Sequence, residues 1–361
     1  MEFYLVLFAC FLFLSASGLF GKSRPSQKPI LVLIFIMAFF VAFRYNVGSD
    51  WGSYRNFYYT GIAEDKASGK TDIGFTLLRD ICYHLGFSHA IFFYVISCLS
   101  LWAIYKTGKL LKVENMYIMF LIYISLFFCN FQFNIVRNGA MASFAWLAFA
   151  YRANGLYKRA WLWMIVASSF HIVGLIFFPF MLLIDMPWKK KYVFITLCVA
   201  FGLFMINFGE NVVSLFPFLK LIDRIEGYVD TDRHDSYGLS IGMLFNIGLF
   251  MFTYFYYNQD YKERPGLQVA LNAMLINIVI CLTLNVFDTI VARIGQPMNM
   301  ASLILWPFVF YKIKTPLYKI GLSCLFIVYL GLYYHKSWTN DDVDRRMLPY
   351  QIEMSQLFEN K

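Results

Sequence analysis

The sequence predicts an all-α polytopic integral membrane protein with about ten to twelve membrane-spanning segments, including a broken hairpin over 161–184. Composition is the first reason. Of 361 residues, 60% are hydrophobic and only 15% are charged, against roughly 45–50% and about 25% in a soluble domain. The second reason is the aromatic load of 40 Phe, 25 Tyr and 8 Trp. A soluble fold exposes apolar patches of only several hundred Å², so this excess has to face lipid. The third is that apolar runs recur along the chain, separated by short loops rich in Lys and Arg. Disorder is excluded, because it needs low hydrophobicity. Nucleic-acid binding is excluded too, because it needs a basic stripe on a soluble face. The net charge of +9 is read as Lys and Arg collected on the cytoplasmic side.

The elements follow in order. The run 3–20 starts after Glu2 with no Lys or Arg before it. A cleaved signal would want a basic start, so this is a retained helix whose N-terminus is outside. Lys22, Arg24 and Lys28 mark the inner side, and 30–43 returns outward. The polar segment 44–89 is an outer loop. Within it Ile73, Leu77, Leu78 and Ile81 have the spacing of an amphipathic helix lying in the outer interface. The run 90–105 goes in to Lys106, Lys109 and Lys112. The run 116–130 goes out to a turn with Arg137, and 138–151 goes in to Arg152, Lys158 and Arg159.

The run 161–184 is interrupted only by Ser168, Ser169 and His171. A straight helix would carry Lys189, Lys190 and Lys191 outside; a hairpin with His171 at its apex carries them inside. The hairpin is preferred. It sets those lysines, and Lys312, Lys314 and Lys319, beside helix ends on the inner side. It also keeps an ionisable ring out of the middle of a straight span. Then 192–208 goes out, 209–237 forms a second outer loop, and 238–257 goes in to Lys262 and Arg264. The run 267–287 goes out to Asp288 and Arg293, 294–311 goes in, and 317–334 goes out. The tail 335–361 is left outside. The expectation is a single transmembrane domain over 1–361. The seven Cys have no metal or disulfide spacing and read as small packing residues.

The unusual polar residues gather on the outer side, and no Gly-rich phosphate loop stands inside. Chemistry on an energy-rich substrate already delivered in the membrane fits that placement. Arg44, Gly48, Asp50, Trp51, Gly52 and Tyr54 sit where a helix leaves the bilayer. They offer a guanidinium, a carboxylate and rings suited to sugar, or else an aromatic belt with a snorkelling Arg. Arg137 opens a helix, where a fork of donors and free backbone N–H groups suit a phosphate; snorkelling to headgroups is the other reading. His171 is a general base or orienting group, or a hydrogen-bonded core residue. Asp288 with Arg293, and Arg224 with Arg233, are weaker pairs at the outer turn and loop.

These residues resemble the EpsG/Wzy-type family of exopolysaccharide and O-antigen repeat-unit polymerases. The likeness is carried by Arg44 with Gly48, Asp50, Trp51 and Tyr54, by Arg137, by Phe170-His171, by Arg293 and by Pro349-Tyr350. Where such proteins often have Gln after the arginine, this chain has Asn138. The resemblance implies transfer of an undecaprenyl-pyrophosphate-linked glycan onto the terminal sugar of a second lipid-linked unit. The reaction would run at the outer face of a bacterial inner membrane. It implies Asp50 or His171 as base and Arg44, Arg137, Arg224 and Arg293 on the pyrophosphate. Trp51, Tyr54, Asp288 and Tyr350 would lie on sugar. No metal or cofactor is called for, membrane lipids surround the protein, and a chain-length regulator is the expected protein partner. An O-antigen ligase would want a larger outer loop than 209–237. A flippase or other transporter would want charges along many helices and a two-fold repeat.

Overall fold

A computed structural model describes residues 2–20, 26–68, 72–208, 240–256, 264–285, 287, 291–339 and 347–357, with backbone only for 61–68 and 356–357. Helices dominate throughout and, among the described residues, the one β pairing is an isolated bridge between Arg44 and Ile352. The reason is solvent: in hydrocarbon every backbone N–H and C=O must be satisfied within its own segment. Among the described residues, five helical stretches are long and apolar enough to cross a membrane: Glu2–Phe20, His89–Leu110, Met116–Asn134, Pro265–Thr283 and Pro316–Thr339. Lys28–Ala42, Ile172–Leu183 and Ile241–Tyr256 are apolar but shorter. The chain is a multi-pass membrane protein.

The helices form two compact units, Met1–Phe178 with Trp306–Lys361, and Pro179–Leu305. In the first, α1 (Glu2–Phe20), α2 (Lys28–Ala42), α3 (Trp51–Ser68), α4 (Ile73–His84) and α5 (His89–Leu110) come in sequence. The span expected over 116–130 is built from two pieces, α6 (Met116–Tyr123) and an eleven-residue π-helix, Ile124–Asn134. Asn115 caps α6, its side-chain oxygen accepting from the N–H groups of Tyr117 and Ile118. Helix α7 (Val136–Ala153) is the centre, flanked by α5 and α8 (Tyr157–Phe170), and is buried nearly all round. Ala140, Ala142, Ala145, Ala148 and Ala150 let its neighbours approach closely.

The hairpin expected at 161–184 forms. α8 ends at Phe170, and His171 is extended (φ −157°, ψ 132°). A 3₁₀ turn follows (Ile172–Ile176), then α9 (Phe177–Leu183). The chain reverses here. Gly174 packs on Ser168, where an added Cβ would lie 2.6 Å from the Ser168 Cα. Trp161 stacks on Phe178 with centroids 5.7 Å apart. The second unit holds α10 (Lys190–Met205), α11 (Ile241–Met251), α12 (Pro265–Thr283) and α13 (Gln296–Asn299). In it Asn272 Nδ2 donates to the carbonyls of Ile184 and Met186, each at 2.9 Å, closing off the end of α9. α14 (Ser302–Lys312) and α15 (Pro316–Thr339) follow, and a short 3₁₀ helix, Met354–Leu357, is the last described element.

The two ends of the first unit differ in charge. At one end Asn154 Nδ2 donates to Leu110 O at 3.2 Å and Lys319 Nζ to Leu19 O at 2.7 Å. These bonds join the ends of α1, α5, α7 and α15 where Lys106, Lys109, Arg152 and Lys319 stand. The opposite end carries the polar residues singled out from the sequence.

Candidate active site

At that opposite end the chain leaves α2 through a corner built around Arg44. The Arg44 side chain is 0% exposed. Its Nε donates to Val47 O at 2.9 Å, Nη2 to Phe133 O at 3.2 Å and Nη1 to Val41 O. The ring of Phe133 lies 5.0 Å from its guanidinium carbon and that of Phe93 5.4 Å. The C-terminal tail is strapped over this corner: Tyr45 N–H donates to Gln351 O at 2.9 Å, and Glu353 N–H to Phe43 O at 3.1 Å. Tyr350 is part of the strap. Its hydroxyl donates to Phe40 O at 2.6 Å and its ring stacks on Phe3. Arg44 and Tyr350, expected on pyrophosphate and sugar, are thus both engaged in holding the loop.

The loop after Arg44 docks on the π-helix. Gly48 has φ +94°, and a Cβ there would lie 2.7 Å from Phe133 O. Ser49 N–H donates to Asn134 Oδ1 at 3.1 Å. Gly48→Ala is expected to cost about 2 kcal/mol or more, the left-handed backbone contributing ~1–2 of it and the clash the rest. A lowered melting temperature in detergent, compared with Gly52→Ala, checks this. Gly52 has open space and an ordinary φ. Asp50 is half-buried and precedes the first residue of α3, where Trp51 Nε1 donates back to Arg44 O at 3.0 Å. Tyr54 points inward against Phe75 and Phe93.

Arg137 stands in the first turn of α7, 40% exposed, with Nη1 donating to Asp72 Oδ2 at 3.0 Å. Its guanidinium lies 5.9 Å from the Phe75 ring, beside Tyr54. Burial pushes the Tyr54 phenol above its ordinary pKa, so it stays protonated. The Asn138 amide is buried, and among the described residues neither its oxygen nor its nitrogen has a hydrogen-bond partner.

Asp72 is the residue that the sequence motifs missed. Its other carboxylate oxygen, Oδ1, accepts from Ile172 N–H at 3.0 Å. One carboxylate thus ties Arg137 to the chain break at His171. The His171 ring is 8% exposed, and its Nδ1 accepts from Val173 N–H at 3.2 Å. A backbone N–H can only donate, so the proton of the neutral ring sits on Nε2. Helix α4, which begins beside Asp72, packs Phe75, Arg79 and Cys82 inward and exposes Ile73, Leu77 and Ile81. That is the amphipathic helix expected from the spacing.

Arg44, Asp50, Trp51, Tyr54, Arg137, His171 and Tyr350 are therefore brought to one end of one unit. Arg293 is in the second unit, half-buried in a π-turn (Val291–Gly295) next to α12. Arg224, Arg233 and Asp288 lie outside the described residues. The sequence profile of the EpsG family matches residues 28–352. No curated protein and no solved structure matches the chain.

Proposed function

The chain belongs to the EpsG family, and from that premise we propose that it is a polysaccharide polymerase acting at the outer face of the membrane. The donor is a glycan on undecaprenyl pyrophosphate, and the acceptor is the terminal sugar hydroxyl of a second lipid-linked unit. The observation that carries the reading is the Arg137–Asp72–Ile172 linkage, which gathers a guanidinium and the His171 imidazole at the end of the bundle opposite Lys106, Lys109 and Arg152. By the positive-inside tendency that end faces outward.

The acceptor oxygen attacks the anomeric carbon of the donor sugar, and the bond from that carbon to the pyrophosphate oxygen breaks. Arg137 and His171 Nε2–H face the departing pyrophosphate and stabilise the charge that develops on it. Asp50 takes the hydroxyl proton. The choice of Asp50 over His171 follows from Nδ1 of His171 already accepting a backbone N–H, which leaves Nε2 as a donor. Arg44 holds the loop that carries Asp50, Trp51 and Tyr54. Trp51 and Tyr54 border the sugar.

Purified protein incubated with synthetic lipid-linked repeat units should yield a ladder of products. Cells lacking the gene should carry single repeat units on their outer-face carrier. Single units that failed to reach the outer face would instead favour a transporter.

A further inference from the structure

Resting on that reading of the site, we propose that Asp72 is its positioning residue. By bridging the Arg137 guanidinium and the backbone N–H after His171, it fixes the two groups that face the leaving pyrophosphate. Both carboxylate oxygens are committed, each at 3.0 Å, to segments 65 and 100 residues away.

The carboxylate is not doing the work its sequence position would suggest. Asp72 is the residue before α4, where an Asp usually accepts from its own helix's first N–H groups. Here it makes no such bond. Nor does docking of α4 depend on it. Gly74 lies so close to Ser169 that a Cβ would meet the Ser169 side chain and backbone. Phe75 packs among Tyr54, Phe57 and Phe92. The side chain of Asp72 is 12% exposed, so water competes little for it. What remains is orientation: Asp72 holds the Arg137 fork by Nη1, leaving the rest of a 40% exposed side chain to face a ligand.

A negative charge beside an anion site weakens ground-state binding, so its presence is useful only if geometry is gained. That gives a signature which loss of folding does not share. With the purified full-length protein and a synthetic lipid-linked repeat unit, Asp72→Asn should lower kcat by about a hundredfold. KM for the donor should stay unchanged or fall, and the melting temperature should be kept. Asp72→Glu should recover part of kcat and carries the test if the Asn variant does not fold. In an Arg137→Ala background, Asp72→Asn should cost less than it does in the wild type, because only its hold on the segment after His171 is left to lose. Wild-type kcat in Asp72→Asn, or losses that add fully to those of Arg137→Ala, would overturn the proposal. A wild-type protein that forms no ladder would overturn the polymerase reading, and the proposal with it.

Discussion

Arg137→Ala is expected to stop chain extension, lowering the rate of ladder formation by about 10²–10³-fold, the usual cost of one donor aimed at developing charge. The change should do little to the fold. The Arg137–Asp72 pair is partly exposed, with 40% of one side chain and 12% of the other open to solvent. Such pairs contribute only ~0–1 kcal/mol. Helix α7 is instead secured by the buried face running from Asn138 to Tyr151. Catalysis therefore loses several times more than stability, and the two are measured separately as turnover and melting temperature. Arg137→Lys should recover little. An ammonium is a point charge that cannot serve Asp72 and a phosphate at fixed angles as a planar fork does. Normal chain lengths in cells carrying Arg137→Ala would sink the assignment.

What was legible in the sequence was whatever short-range pattern controls. The break at His171 could be read because an ionisable ring interrupts an apolar run, and a straight span would have to bury it. Helix α4 could be read because Ile73, Leu77 and Ile81 recur every four residues. Its exposed stripe is the one that spacing assigned to the interface. The roles of Arg44 and Tyr350 could not be read. Arg44 is sealed by Gln351, Ile352 and Glu353, more than 300 residues on, and by Phe133, 89 residues on. A snorkelling arginine and one spent on backbone carbonyls look alike in sequence. Asp72 was hidden for the same reason, although its place before an amphipathic run is a signal for a helix cap. The π-helix of Ile124–Asn134 was hidden because seven of its eleven residues are apolar and its polar ones, Ser125, Asn130, Gln132 and Asn134, do not distinguish a π from an α period. It matters because it leads directly to Phe133 and Asn134, which receive Arg44 and the Gly48 loop. π-turns inserted in helices are frequent at functional sites.

His171→Ala is expected to lower turnover by about 10²-fold or more, the scale of a lost donor at the leaving group. The ring has two functions here, and different substitutions separate them. Through Nδ1 it caps the 3₁₀ turn by accepting from Val173 N–H, a bond worth about 1 kcal/mol. The reversal of the chain does not rest on that bond alone, since Gly174 is seated against Ser168 and Trp161 against Phe178. The Ala variant should therefore fold with a modest drop in melting temperature. His171→Asn returns a side-chain oxygen to the Nδ1 position, so it should restore the cap and the melting temperature but not turnover. His171→Gln sets an amide N–H near where Nε2–H stands and should recover part of the rate. That last result decides between roles. A ring acting as the base could not be replaced by an amide, and Gln would then be as inactive as Ala. Wild-type turnover in His171→Asn would remove His171 from the site and leave the pyrophosphate to Arg137.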